Sequence, residues 1–208
     1  MKESSAVSGN LPYNPLLMVL TGPSGVGKDT VLNRLKEMES SIFHVTTMTT
    51  RSRRASEQNQ REYHFTSREK FQELIKNNLM LEWAEVYGNL YGVPREPVKQ
   101  ALARGQDVVV KVDIQGAFTI KKLVPQAVTV FIAPPSMEEL LSRLKGRRTE
   151  SPEDLSLRLK TAEEEMKQMP LFDHTVTNSI GEIDKAVSEI RAIIASEKSR
   201  ETRKKIRL

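Results

Sequence analysis

Residues 16–30 read Leu16-Leu17-Met18-Val19-Leu20-Thr21-Gly22-Pro23-Ser24-Gly25-Val26-Gly27-Lys28-Asp29-Thr30. An apolar run enters a glycine-rich turn, and beyond the turn Val31, Leu35 and Met38 recur at helical spacing. That order predicts a buried strand, a loop and a helix. Gly22 and Gly27, followed by Lys28, fit the phosphate-binding loop, in which successive backbone N–H groups point inward and the lysine reaches the β- and γ-phosphates of a nucleoside triphosphate. Glycine serves there because the backbone must come close to phosphate oxygens, while the helix behind offers its positive end to the anion. Gly22 through Thr30 are therefore the candidate triphosphate-binding residues. One position departs from the pattern: Asp29 stands where Ser or Thr is usual.

Working outward, 208 residues with 38% hydrophobic and 28% charged content are enough for one globular domain with a substantial core. No apolar run approaches the length that crosses a bilayer, and residues 1–14 are polar with Gly9 and Pro12, so neither signal peptide nor membrane partner is expected and the protein is expected in the cytoplasm. The absence of cysteine removes disulfides, thiol catalysis and thiolate metal sites. His44, His64 and His174 are scattered without metal-ligand spacing. Much of the net charge of +5 sits in residues 197–208, which read as a solvated, frayed terminus; without interleaved aromatics no nucleic-acid partner is expected.

Strands and helices then alternate. Ile42 to Thr47 reads as a strand, Thr49 to Glu62 as a polar basic loop, and Tyr63 to Phe65 as a short strand. Thr66-Ser67-Arg68-Glu69 is a capping box opening a helix. Leu79 to Tyr87 and Leu90 to Val93 read as a hairpin with Gly88-Asn89 as its turn, and Pro94 opens a helix. Buried strands follow at Asp107 to Asp113 and Ala127 to Ala133, separated by a helix from Gly116 to Leu123. Ser136 to Glu139 is a second capping box, Pro152 opens another helix, Asp173 to Asn178 is a last strand, and Ile183, Val187, Ile190 and Ile194 mark the last helix. The pattern predicts an α/β fold, a mainly parallel sheet with helices on both faces. Residues 46–93 break the rhythm and read as an inserted lobe. In such sheets ligands bind beyond the carboxyl ends of the strands, so the loop at Gly22, the strand end at Asp113 and the lobe should share one cleft.

A triphosphate needs an acceptor for its phosphoryl group, and the insertion offers one. Arg51, Arg53 and Arg54 cluster in a loop, and guanidinium forks match phosphate oxygens. Tyr63 and Tyr91 could add hydroxyl donors to the same phosphate. Glu82 and Asp113 are carboxylates at buried strands, where a charge needs a partner. Either they face the two-donor edge of a guanine, or each pairs with an internal arginine or caps a helix.

Together the motifs resemble the guanylate kinase family. They are Gly-Pro-Ser-Gly-Val-Gly-Lys from Gly22, Thr-Thr-Arg-x-x-Arg from Thr49, Leu-Glu-Trp-Ala from Leu81, Gly-Asn-Leu-Tyr-Gly from Gly88, Val-Asp-Ile-Gln-Gly-Ala from Val112, Ile-Ala-Pro-Pro-Ser from Ile132 and Leu-Lys-Gly-Arg from Leu144. The resemblance implies a P-loop NTPase type of fold with a small mixed GMP-binding lobe and a helical lid. It implies transfer of the γ-phosphoryl group of ATP to GMP, with Mg2+ accompanying ATP. It divides the chain into a flexible segment 1–15, a domain 16–195 (core 16–45, 94–135 and 170–195, GMP-binding lobe 46–93, lid 136–169) and a basic tail 196–208.

Residue by residue, Arg51, Arg54, Tyr63 and Tyr91 match those that bind the phosphate of GMP, and Thr47, Glu82 and Asp113 those that read guanine. Arg147 and Arg158 match lid arginines that, with Lys28 and Arg54, surround the transferring phosphoryl group; Arg143 is a further candidate. Asn178 falls where the family approaches adenine. Three positions depart: Val93 where a hydroxyl is common, Lys111 where many relatives carry an acid, and Asp29, which is expected beside Mg2+ through water. Competing readings are a guanylate kinase-like module that only binds proteins, and a P-loop kinase with another phosphorylated acceptor; the intact loop argues against the first and the paired acids against the second. Oligomeric state is not legible.

Overall fold

The computed structural model describes residues 14–53, 63–146, 152–200, 204–206 and 208. Leu17–Thr21 (β1) is buried along its whole length; Met18 and Leu20 pack on one side and Leu17 and Val19 on the other, as the period of two requires. The chain continues through Lys28–Met38 (α1), Phe43–His44 (β2), Met48–Thr49 (β3), His64–Phe65 (β4), Arg68–Lys76 (α2), Met80–Val86 (β5), Asn89–Pro94 (β6) and Arg95–Ala103 (α3). It ends with Val108–Lys111 (β7), Ile114–Leu123 (α4), Val128–Ala133 (β8), Met137–Lys145 (α5), Pro152–Lys167 (α6), His174–Thr177 (β9) and Ile183–Ser199 (α7).

The main sheet has the order β2-β7-β1-β8-β9, and every neighbouring pair is parallel. Apolar side chains close both of its faces, as a parallel sheet demands. Val31, Leu32 and Leu35 of α1 and Val187, Ile190 and Ile194 of α7 fill one side. Val98 and Ala101 of α3 and Ala117 and Ile120 of α4 fill the other. The stretch that breaks the alternation forms a second, mixed sheet of order β4-β3-β6-β5, with Phe71 of α2 packed on Met80 and Leu90. Among the described residues no helix is long and apolar enough to cross a membrane.

Three local expectations are corrected. The strand expected from Ile42 to Thr47 is reduced to Phe43–His44, paired with Val108 and Val109. The hairpin turns at Tyr87-Gly88, both left-handed at φ 48 and 74, so the register is Val86 with Asn89. Two positive φ angles make the mirror-image turn whose twist suits a hairpin, and only the second falls on a glycine. Helix α2 is capped by Ser67, which accepts from the Lys70 N–H at 3.3 Å, one residue later than the capping box placed it.

The C-terminus is not simply frayed. Ile206 is 8% exposed and joins the core on the α3 and α4 side, with Leu208 packed near it. Lys198 Nζ donates to Asp107 Oδ2 at 2.8 Å, and Asp107 Oδ1 accepts from the Leu16 N–H at 2.8 Å, so the end of α7 is tied to the entry of β1.

Candidate active site

The phosphate loop leaves β1 against the backbone of β8. Gly22 has φ 138, and a Cβ on it would lie 2.2 Å from the Ile132 carbonyl oxygen, so no other residue fits. The loop is held from beneath: the Val26 carbonyl accepts from Arg143 Nη1 at 2.7 Å and from Asn178 Nδ2 at 2.8 Å. Arg143 Nη2 also donates to the Asn178 carbonyl at 2.7 Å and pairs with Glu139. Ser136 caps α5 through the Glu139 N–H, as expected, which leaves the Glu139 carboxylate to orient Arg143.

These contacts relocate two residues. Asn178, expected beside adenine, is buried under the loop and does not line the cleft, because its amide is committed to Val26. Arg143, a candidate lid arginine, is a support of the loop. Pro23, Val26 and Thr30 are likewise outside the cleft lining. Lys28 folds over the loop and donates to the Gly22 carbonyl at 2.5 Å and the Pro23 carbonyl at 3.0 Å. Burial lowers its ammonium to about 8, against the opposing pull of Glu165 and Asp29.

The two odd positions of the sequence meet in space. Lys111 closes β7, and its ammonium forms an ion pair with Asp29 in the first turn of α1 and donates to Tyr63 Oη at 2.9 Å. Its nitrogen lies 4.0 Å from the centre of the Tyr63 ring. Burial opposes the charge on Lys111, but Asp29 and Tyr63 outweigh it and hold the ammonium above its ordinary range. Tyr63, mostly enclosed, is raised by burial, so its hydroxyl keeps its proton.

Across the cleft, Glu82 of β5 is 4% exposed, and its Oε2 has no hydrogen-bond partner among the described residues. The carboxylate accepts from the Val93 N–H; burial first, and Asp113 second, push it up to about 8. Internal pairing with an arginine is thus not the explanation of Glu82. Asp113 does cap a helix: its Oδ1 accepts from the Gly116 N–H at 2.7 Å at the start of α4, while the residue still faces the cleft. The Thr47 hydroxyl donates to the Lys111 carbonyl at 3.2 Å. Arg51 lies over the rings of Tyr63 and Phe65 at 5.6 and 5.7 Å and donates to the Ser52 carbonyl at 2.7 Å. Tyr91 meets Tyr63 edge-on, with ring centres 6.0 Å apart.

One cleft of about 530 Å³ joins Gly22, Ser24, Gly25, Gly27, Lys28 and Asp29 to Thr47, Arg51, Tyr63, Glu82, Tyr91 and Asp113, and Arg158 of α6 lines it too. The Arg158 guanidinium lies 5.3 Å from the Tyr87 ring centre, above the hairpin tip. Arg54 and Arg147 lie outside the described residues. Three lining or adjoining residues escaped the sequence reading. Lys111 was visible only as a departure, and Gly116 only as part of a motif. Glu165 is the third of three consecutive acids on α6, with nothing to mark it. It accepts from the Ser24 N–H, and burial raises its carboxyl despite nearby Lys28.

A parallel α/β sheet with a phosphate loop at the carboxyl end of β1, and a charged and polar wall facing it across the same cleft, defines a P-loop nucleotide-binding protein of the kinase type. The family model for guanylate kinase matches residues 14–197, and the chain belongs to the guanylate kinase family. It is 45% identical over 190 residues to the guanylate kinase of Caldanaerobacter subterraneus subsp. tengcongensis, covering 91% of each chain. It is 46% identical over 180 residues to that of Corynebacterium jeikeium, covering 86% of this chain and 95% of the relative. The crystal structure of guanylate kinase from Anaplasma phagocytophilum superposes with a TM-score of 0.75 at 31% identity, covering 92% of this chain and 90% of that one.

Proposed function

We propose that the chain transfers the γ-phosphoryl group of ATP to GMP, and to dGMP, giving ADP and GDP in purine nucleotide metabolism. The observation that carries this reading is that the phosphate loop and the buried Glu82 carboxylate open onto the same cleft. A buried acceptor without a donor is costly unless a ligand supplies one, and the N1–H and N2 amino groups of guanine are two donors side by side. Thr47 and Asp113 complete that end, and Arg51, Arg54, Tyr63 and Tyr91 hold the acceptor phosphate.

Phosphoryl transfer asks little covalent work of the protein; alignment of donor and acceptor, and cations where charge spreads, supply the rate. Lys28 and Arg158 bring cations into the cleft, and the family resemblance assigns Arg54 and Arg147 to the same task. Neither Glu82 nor Asp113 serves as a base. A Mg2+ ion bound with ATP would supply charge screening of the phosphates. The half-exposed Asp29 carboxylate, ion-paired with Lys111, is a hard oxygen ligand that would hold such an ion through water.

A coupled assay of ADP release, with GMP, AMP, CMP and UMP as acceptors, tests the reading. The expected result is turnover that depends on GMP. Equal response to all four, or none to GMP, overturns it.

A further inference from the structure

The geometry points to Lys111 as a positioning residue for the acceptor phosphate: held by Asp29, its ammonium fixes the Tyr63 hydroxyl as a donor into the cleft. The inference rests on the proposed function, in which Tyr63 binds the phosphate of GMP.

Lysine is among the residues least often buried, yet the Lys111 side chain is 6% exposed. Its place is fixed by register, since Lys111 pairs with Leu20 on the strand that feeds the phosphate loop. An ammonium has three protons to give. One goes to the Asp29 carboxylate and one to Tyr63 Oη at 2.9 Å. A phenol oxygen that accepts from an ammonium cannot turn its own proton toward the same neighbour, so the O–H of Tyr63 is left to donate elsewhere. Arg51 and Tyr91, both against the Tyr63 ring, line the cleft on that side. A donor polarised by an adjacent cation suits an anionic oxygen.

The same contacts bridge the two sheets. Asp29 opens α1 on the main sheet, Lys111 ends β7, and Tyr63 leads into β4 of the mixed sheet. Lys111 therefore sets the distance between the loop that holds the donor and the lobe that holds the acceptor. A simpler role would be that Lys111 only neutralises Asp29, whose carboxylate would otherwise repel a triphosphate.

Calorimetric affinities for GMP and for ADP with Mg2+ separate the two roles. In Lys111→Met the Asp29 carboxylate faces the phosphate loop without its lysine, so both affinities should fall, GMP by about tenfold. Asp29→Ser combined with Lys111→Met removes that carboxylate and the buried charge with it, and so keeps the test open should the single variant fail to fold. Asp29→Ser supplies the hydroxyl usual at this loop position, so ADP affinity should return in this double variant while GMP stays about tenfold weak. Tyr63→Phe should weaken GMP binding comparably in the wild type and add less than about twofold in the double variant, since it removes a donor already lost. The inference is overturned if the double variant recovers GMP together with ADP, or if Tyr63→Phe costs as much in that background as in the wild type. A wild type that binds no GMP overturns the proposed function instead, and does so before any variant is compared.

Discussion

Gly116 leaves no space for a side chain beside Glu82: a Cβ there would lie 2.7 Å from Glu82 Oε2 and 3.1 Å from Val112 Cβ. The first turn of α4 thus closes over the carboxylate while its Gly116 N–H is occupied by Asp113. Gly116→Ala should push Glu82 out of line and weaken GMP binding, and Glu82→Gln should weaken it by replacing one acceptor oxygen with a donor. Each loss should be about tenfold, the value of one buried hydrogen bond to a charged group. ADP affinity serves as the control and should move little. Normal GMP affinity in both variants, read by calorimetry, would rule out Glu82 as the group that meets guanine.

The same carboxyl predicts a pH dependence. Its folded value is raised from 4.5 to about 8, so between these values the folded protein keeps a proton that the unfolded chain has released. Stability contributed by this group is complete below about pH 4.5 and is lost as pH rises toward 8. Glu82→Gln removes that loss. Relative to the wild type, its melting temperature should therefore gain more at pH 8 than at pH 5. Binding of GMP, which favours the carboxylate, should release a proton near neutral pH, visible as a calorimetric enthalpy that varies with buffer ionisation. A buffer-independent enthalpy would contradict this assignment.

Arg143 serves the donor side at a distance. Its fork joins the Val26 and Asn178 carbonyls, both at 2.7 Å, with Glu139 completing the set. Arg143→Ala should cost about 2–3 kcal/mol for the lost charge-assisted bonds and the carbonyls left buried. In a chain of this size that is about 4–12 °C in melting temperature. ADP should also bind more weakly, because the loop loses its floor. Arg143→Lys should recover only part of either effect, since one ammonium cannot reproduce the planar fork. A full recovery would mean that charge alone matters there.

What was legible in the sequence was what short spacing encodes. Apolar runs such as Leu16 to Leu20 and Val108 to Val110 announced the buried strands, and Gly22 to Lys28 the loop, because each signal is contained in a few neighbours. The motif set also placed the chain in its family. Contacts between distant residues were not legible. Asp29 and Lys111 stand 82 positions apart and read as two unrelated departures, although they form one ion pair. The family resemblance alone gives Asn178 a place near adenine and Arg143 one in the lid, and only packing shows that the Val26 carbonyl accepts from both. The hairpin turn was displaced by one residue because Tyr87, not a glycine or asparagine, adopts the left-handed conformation. Ile206 and Leu208 are two apolar residues at the end of a charged run, too few for any periodicity to mark them as core.

Ile206 supplies the last prediction. It is 8% exposed in the cluster that contains Leu17, Val98 and Val108, next to the strand that feeds the phosphate loop. Truncating a buried isoleucine to alanine removes apolar contact and leaves a cavity, at a cost of about 2–4 kcal/mol. Ile206→Ala should accordingly lower the melting temperature by about 4–16 °C. Leu171, 69% exposed, is the matched control, and Leu171→Ala should change stability by less than about 0.5 kcal/mol. Denaturant unfolding of the two variants compares them directly. If they behave alike, the terminus contributes nothing to the core, and Ile206 would have to be exposed in solution.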